Sequence, residues 1–251
     1  MQYVFLTAFG VGGATIIGAL LGFLLGKISQ KRNGIILGFA AGLMLAAAVY
    51  GLILPSAETV GAKGIWLTAV GIMCGTLFLN LTDKLTPRLQ ILTGLDLEEH
   101  RNSASLDNVM LFITAIIIHK FPEGMAAGVA FGTGDTGSAV SVALGIALHN
   151  IPEGMVIISP MLSAGISKAR TFATAILTGA IEIAGTFVGF FAASISAAVL
   201  PFLLAFAGGT MLYVIVDEMI PKTHVGGSGF CVTFATVIGF VFMTVLDAVI
   251  A

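Results

Sequence analysis

Charge is what this chain has least of: 13 acidic and 11 basic residues in 251, or 10% of the total. A water-soluble domain carries about 25%. A surface so poor in ions cannot be kept in water, and with 57% hydrophobic residues and a mean hydropathy of +1.06 the solvent has to be lipid. The net charge of −2 offers no basic patch to nucleic acid. Cysteine is scarce as well. Cys74 and Cys231 both sit in apolar stretches and are expected to be small buried hydrophobes, not a disulfide or a metal pair. No basic residue precedes Lys27, so the first apolar run lacks the positive start of a cleaved signal peptide and is expected to stay as a span. Long polar segments are missing too, apart from one at residues 82–106.

What is there is apolar and long. Eight stretches, near 3–26, 34–57, 62–81, 107–130, 138–161, 169–194, 199–220 and 228–250, reach the length needed to cross a bilayer, roughly 20 residues each. The expected fold is an all-α polytopic membrane protein in one transmembrane domain. The few charges then set its orientation. Loops after odd-numbered spans hold nine basic residues (Lys27, Lys31, Arg32, Lys84, Arg88, Arg101, Lys168, Arg170, Lys222), and loops after even-numbered spans hold Lys63 alone. By the positive-inside rule the odd loops, including 82–106, are cytoplasmic and both termini lie outside.

Two internal echoes organise the chain. His119-Lys120-Phe121-Pro122-Glu123-Gly124-Met125 is answered thirty residues later by His149-Asn150-Ile151-Pro152-Glu153-Gly154-Met155. In the flanks, Phe39-Ala40-Ala41-Gly42-Leu43-Met44-Leu45 followed by Leu54-Pro55 resembles Phe206-Ala207-Gly208-Gly209-Thr210-Met211-Leu212 followed by Ile220-Pro221. The members of each pair lie on antiparallel spans. Three flanking spans on each side of a central pair, a 3+2+3 arrangement with inverted repeats, fit both echoes. Such repeats place a binding site near the midplane, on helices interrupted by Pro or Gly.

The central echo carries the chemistry. Ionisable residues inside spans are costly and mark function, and here they gather as His119, Lys120, Glu123, His149, Glu153 and Glu182. His and Glu at i and i+4 share a helix face. On the fourth span His119, Glu123 and Lys120 fall at about 0°, 40° and 100° around the axis. Each proline also removes one backbone hydrogen bond, freeing the carbonyls of Ile118 and Leu148 as further oxygen donors. Two imidazoles and two carboxylates suit a divalent ion of the zinc, iron or manganese type. Mg²⁺ would demand oxygen ligands and retained water.

The paired H-x-x-P-E-G motifs in the fourth and fifth of eight spans resemble the ZIP (Zrt/Irt-like) family of divalent metal transporters, in its bacterial GufA-like branch. The resemblance implies a carrier with no cofactor that takes Zn²⁺, or Fe²⁺, Mn²⁺ or Cd²⁺, as transported substrate into the cytoplasm across the inner membrane. It assigns a primary metal site to His119, Glu123, His149 and Glu153. It places a second-site position at Lys120, Asn150 and Glu182, where Lys120 stands in place of the family's usual Asn. An ammonium has three donors and no acceptor, so Lys120 is expected to replace the second ion's charge, paired with Glu182 or Glu123. Along the pathway the resemblance puts Glu58 at the outer mouth, Met44 deeper in, and Asp217 and Glu218 on the cytoplasmic side. Glu98-Glu99-His100 and His224 read more simply as solvated polar residues.

The expected partners are a divalent ion, the lipid bilayer and, for self-association, a homodimer. Two other classes can be set against the carrier. An intramembrane metallohydrolase would also use His and Glu to activate water, but the H-E-x-x-H string of such zinc enzymes is missing from the sequence. A metal-gated channel or receptor would differ in showing no saturable uptake, and the chain has no large soluble sensor domain.

Overall fold

The computed structural model describes residues 1–26, 29–93, 118–163, 165–195, 198–224 and 229–250. All regular structure among them is helical. The elements are α1 (Gln2–Leu25), α2 (Gln30–Ala48), a π-helical stretch Val49–Ile53, and α3 (Leu54–Thr93). Next come α4 (118–130), a 3₁₀ turn Phe131–Thr133, α5 (Thr136–Ser163) and α6 (Lys168–Ile195). The chain ends with α7 (Leu200–Tyr213), a second π stretch Val214–Met219, α8 (Ile220–Thr223) and α9 (Gly229–Ile250).

Six stretches of the described residues are long and apolar enough to cross a membrane: Gln2–Leu25, Gln30–Thr82, Thr136–Ser159, Lys168–Ile195, Leu200–Thr223 and Gly229–Ile250. The second has 53 residues, which at the α-helical rise is ~80 Å, against a hydrocarbon core of ~30 Å. It cannot cross as one straight rod. Gly61, with φ 63 and ψ −176, turns the chain there, a conformation that a side chain would resist. Ser56 fastens the turn, its hydroxyl 2.8 Å from Thr68 Oγ1 and donating to the carbonyl of Pro201 at 2.7 Å. Local sequence sets other ends. Gly134, at φ 80, closes the turn after α4, and Asp135 then caps α5, accepting from the amides of Gly137 (2.9 Å) and Ser138 (3.4 Å).

Residues 82–93, expected in a loop, are helical and prolong α3. Leu85, Leu89 and Leu92 recur there at i, i+4 and i+7, a helical period that the polar composition of the segment hides. The rest of that loop, with Glu98, Glu99 and His100, and the first part of the expected fourth span lie outside the described residues. The cysteines are a second correction. Cys74 on α3 and Cys231 on α9 are both exposed on the outer surface of the bundle, where in a membrane a thiol meets acyl chains and buries without packing inside.

Small residues set how closely the helices approach, as expected where lipid gives no hydrophobic drive to association. A Cβ on Gly42 of α2 would collide with the Thr236 carbonyl of α9, and one on Gly239 of α9 with the Phe39 carbonyl. The same reciprocal pattern joins α7 to α3: Gly209 against the carbonyl of Ile72, and Gly75 against that of Phe206. Phe39 and Phe206, like Gly42 and Gly209, are equivalent positions in the flank echo.

The echo also reaches the π stretches. Each widens the helix just before a proline, Pro55 or Pro221. The Leu54 amide reaches back to the Val49 carbonyl and the Ile220 amide to that of Ile215, both five residues away. A wide turn of this kind accommodates a ring that has no N–H to give.

The close contacts yield a direct test. Gly128 on α4 faces the Thr186 carbonyl of α6 so closely that a Cβ has no room. Gly128→Ala is expected to destabilise by about 1–3 kcal/mol, the usual cost of overpacking. Gly10 has nothing within 4 Å of its would-be Cβ, so Gly10→Ala should leave the melting temperature of the detergent-purified protein unchanged or higher. Equal melting of the two variants would overturn this account of the packing.

Candidate metal centre

Each central motif lies within a helix that carries its proline inside, Pro122 in α4 and Pro152 in α5. The motif glycines let these helices close on their neighbours. Gly124 lies against the carbonyl of Glu182 on α6, and Gly154 against that of Thr15 on α1. The residue before each glycine, Glu123 or Glu153, is thereby held between packed helices.

Glu123, His149 and Glu153 each offer one ligand atom within 4.8 Å of the others, and they are the one such group of three among the described residues. His149 Nε2 lies 3.6 Å from Glu123 Oε2 and 4.0 Å from Glu153 Oε2. The other ring nitrogen, Nδ1, is 3.2 Å from the carbonyl of Gly145. A carbonyl only accepts, so in this contact Nδ1 carries a proton, and Nε2 is the ring atom that faces the carboxylates. His149 Nε2 and Glu123 Oε1 are buried, and neither has a hydrogen-bond partner among the described residues. A buried polar atom without a partner costs free energy that a ligand would recover. Two such atoms in one acidic cluster are candidate ligands for a cation.

Lys120 occupies the opposite side of the cluster. It is fully buried and uses its three N–H donors on Glu123 Oε2, Asn150 Oδ1 and Glu153 Oε2, each at 2.6 Å. Glu182 Oε1 stands 3.8 Å away. Both pairings the sequence suggests are present, Glu123 as a hydrogen bond and Glu182 as a longer ion pair, and Glu153 joins them at 2.6 Å. Asn150 links the two, because its amide donates to Glu182 Oε1 at 2.7 Å and to the carbonyl of Val11 at 3.1 Å.

His119 does not join the group of three. Its Nδ1 lies 2.6 Å from Glu218 Oε1, on the second π stretch, and Glu218 Oε2 accepts from Lys222 at 2.7 Å. The Glu218 carboxylate draws the imidazole toward the far end of α7. Asp217 and Glu58 are exposed, as is His224. Met44 is fully buried in an apolar cluster with Ala126, Ala127, Val142 and Ile146. Sequence reasoning missed Thr15, whose hydroxyl donates to Glu182 Oε2 at 3.2 Å, and the orienting carbonyls of Gly145 and Val11. Nothing sets Thr15 apart from other span threonines in sequence, and backbone carbonyls carry no residue signal.

Known proteins resemble this chain along most of its length. The ZIP Zinc transporter family profile matches residues 93–247, which takes in both central motifs. The zinc transporter GufA of Myxococcus xanthus is 38% identical, over 94% of this chain and 94% of its own length. The zinc transporter ZIPB of Bordetella bronchiseptica is 34% identical over 93% of this chain and 77% of its own. The human zinc transporter ZIP11 is 30% identical over 96% and 95%. With a family profile across most of its length and relatives aligned end to end, the chain belongs to the ZIP family of zinc transporters, in its GufA-like branch.

Proposed function

We propose that this integral membrane protein carries Zn²⁺ into the cytoplasm, holding it in transit on Glu123, His149 and Glu153. One observation carries the reading: Glu123 Oε1 and His149 Nε2, in a group whose ligand atoms lie within 4.8 Å of one another, are both buried with no hydrogen-bond partner among the described residues. One imidazole and two carboxylates are zinc ligands, and they would also take Fe²⁺ or Mn²⁺. The zinc-transporter relatives favour Zn²⁺ among these. Their transporter character favours a carrier over a hydrolase using the same groups.

The supporting architecture is eight spans, three on each side of the central pair α4 and α5, in inverted repeat. The reciprocal glycine contacts of α2 with α9 and of α7 with α3, and the wide turns before Pro55 and Pro221, favour it. The basic residues, nine in odd loops against one in even loops, favour an inner-membrane carrier with both termini outside. On this reading Glu58 stands at the outer mouth and Met44 lines the deeper path. His119 with Glu218, and Asp217 beside them, form the next stations toward the cytoplasm.

Two measurements test the reading. Glu123→Ala or Glu153→Ala should abolish saturable Zn²⁺ uptake into proteoliposomes while the protein still elutes as a folded species, since each removes one of three ligands. Near wild-type uptake by either variant would sink the assignment, and non-saturable flux in the wild type would favour a channel. Protons compete with metal for the ligand atoms. Uptake should therefore weaken as the external medium is acidified, and uptake that rises on acidification would contradict imidazole and carboxylate ligation.

A further inference from the structure

Charge bookkeeping in the centre is unusual. Three carboxylates, Glu123, Glu153 and Glu182, face one ammonium, Lys120, with Lys120 and Glu182 fully buried. The two carboxylates are shared across the centre. Lys120 holds Oε2 of Glu123 and Oε2 of Glu153, together with Asn150 Oδ1. The same two Oε2 atoms stand 3.6 and 4.0 Å from His149 Nε2, and Glu123 Oε1 and His149 Nε2 have no hydrogen-bond partner among the described residues.

We infer that the Lys120 ammonium is itself the second cation of this centre, occupying permanently a position that three oxygens from α4 and α5 would otherwise offer to a second metal ion. The inference rests on the reading of Glu123, His149 and Glu153 as ligands of the transported ion. The oxygen cage around Nζ is built like an ion site: Glu123, Glu153 and Asn150 at 2.6 Å, with Glu182 beyond at 3.8 Å. Those oxygens are held in turn, since Asn150 and Thr15 both donate to Glu182. A charged donor that spends all three N–H groups on them fixes their direction. It also repels any second cation at that position. Lys120 is thus a positioning residue. It fixes the direction of both carboxylates, whose Oε2 atoms also lie nearest His149 Nε2, and it sets the capacity of the centre at one.

The test is to count ions. Purified wild type, Lys120→Asn and Lys120→Gln are equilibrated with Zn²⁺ and washed, and bound zinc per chain is measured by mass spectrometry. X-ray absorption at the zinc edge is then searched for a zinc–zinc distance, roughly 3.5–4 Å in two-metal sites. Either amide keeps an oxygen for the cage and removes the charge. Zinc bound at sites other than the centre is subtracted with the Glu123→Ala variant. The expected result is one central ion in wild type with no zinc–zinc distance, and a rise toward two ions with that distance in the amide variants. Two central ions in wild type overturn the inference whatever the variants do. One ion in wild type and still one in a folded amide variant overturns it too, while the single-ion transport site stands. Wild type that binds no central zinc overturns the transport-site reading, and this inference with it.

Discussion

Everything at the heart of this protein depends on one ammonium buried among carboxylates where no bulk water reaches. Charges inside a bilayer are tolerated only when they are paired, and removing one partner of such a set leaves the rest uncompensated. Lys120 ties α4 to α5 through Glu123, Asn150 and Glu153, and Asn150 extends the tie to α6 and α1 through Glu182 and Val11. Four helices are thus joined by side chains that would each be prohibitive alone. The same two carboxylates also face His149 Nε2, so structural support and the proposed ligand supply come from one set of groups.

Around that centre the packing is done by the absence of side chains. The motif glycines, Gly124 and Gly154, press their helices onto the backbones of α6 and α1. The flanking pairs repeat the device at equivalent residues. The pattern explains why the chain is rich in glycine, with 32 residues, yet so regularly helical: glycine here is a surface for another helix, not a break.

Much of this could be read from the sequence, for physical reasons that also mark where reading failed. The helical, lipid-dissolved class follows from composition alone, and the central repeat announces itself because His, Pro and Glu are so rarely spent inside spans. That Lys120 would face carboxylates follows from charge, but that Glu153 would come nearer than Glu182 does not. Both acids lie on other helices, and only the approach of α5 and α6 decides which comes nearer. His119 paired with Glu218 was unreadable for a similar reason: the two are 99 residues apart, and the π stretch that carries Glu218 shifts its helix face by more than a regular period predicts. The exposed cysteines show a different limit. Apolar context signals burial in a soluble protein, whereas in a membrane it says nothing about which way a side chain points.

The two motifs are near copies, yet the position after each histidine differs, Lys120 in one and Asn150 in the other, and these two residues touch. A pair of lysines there would set two ammonium groups against each other in a dry interior. A pair of asparagines would leave the carboxylates without their fixed counter-charge. In this chain the two halves differ at this one point, and the difference gives the centre a single fixed positive charge.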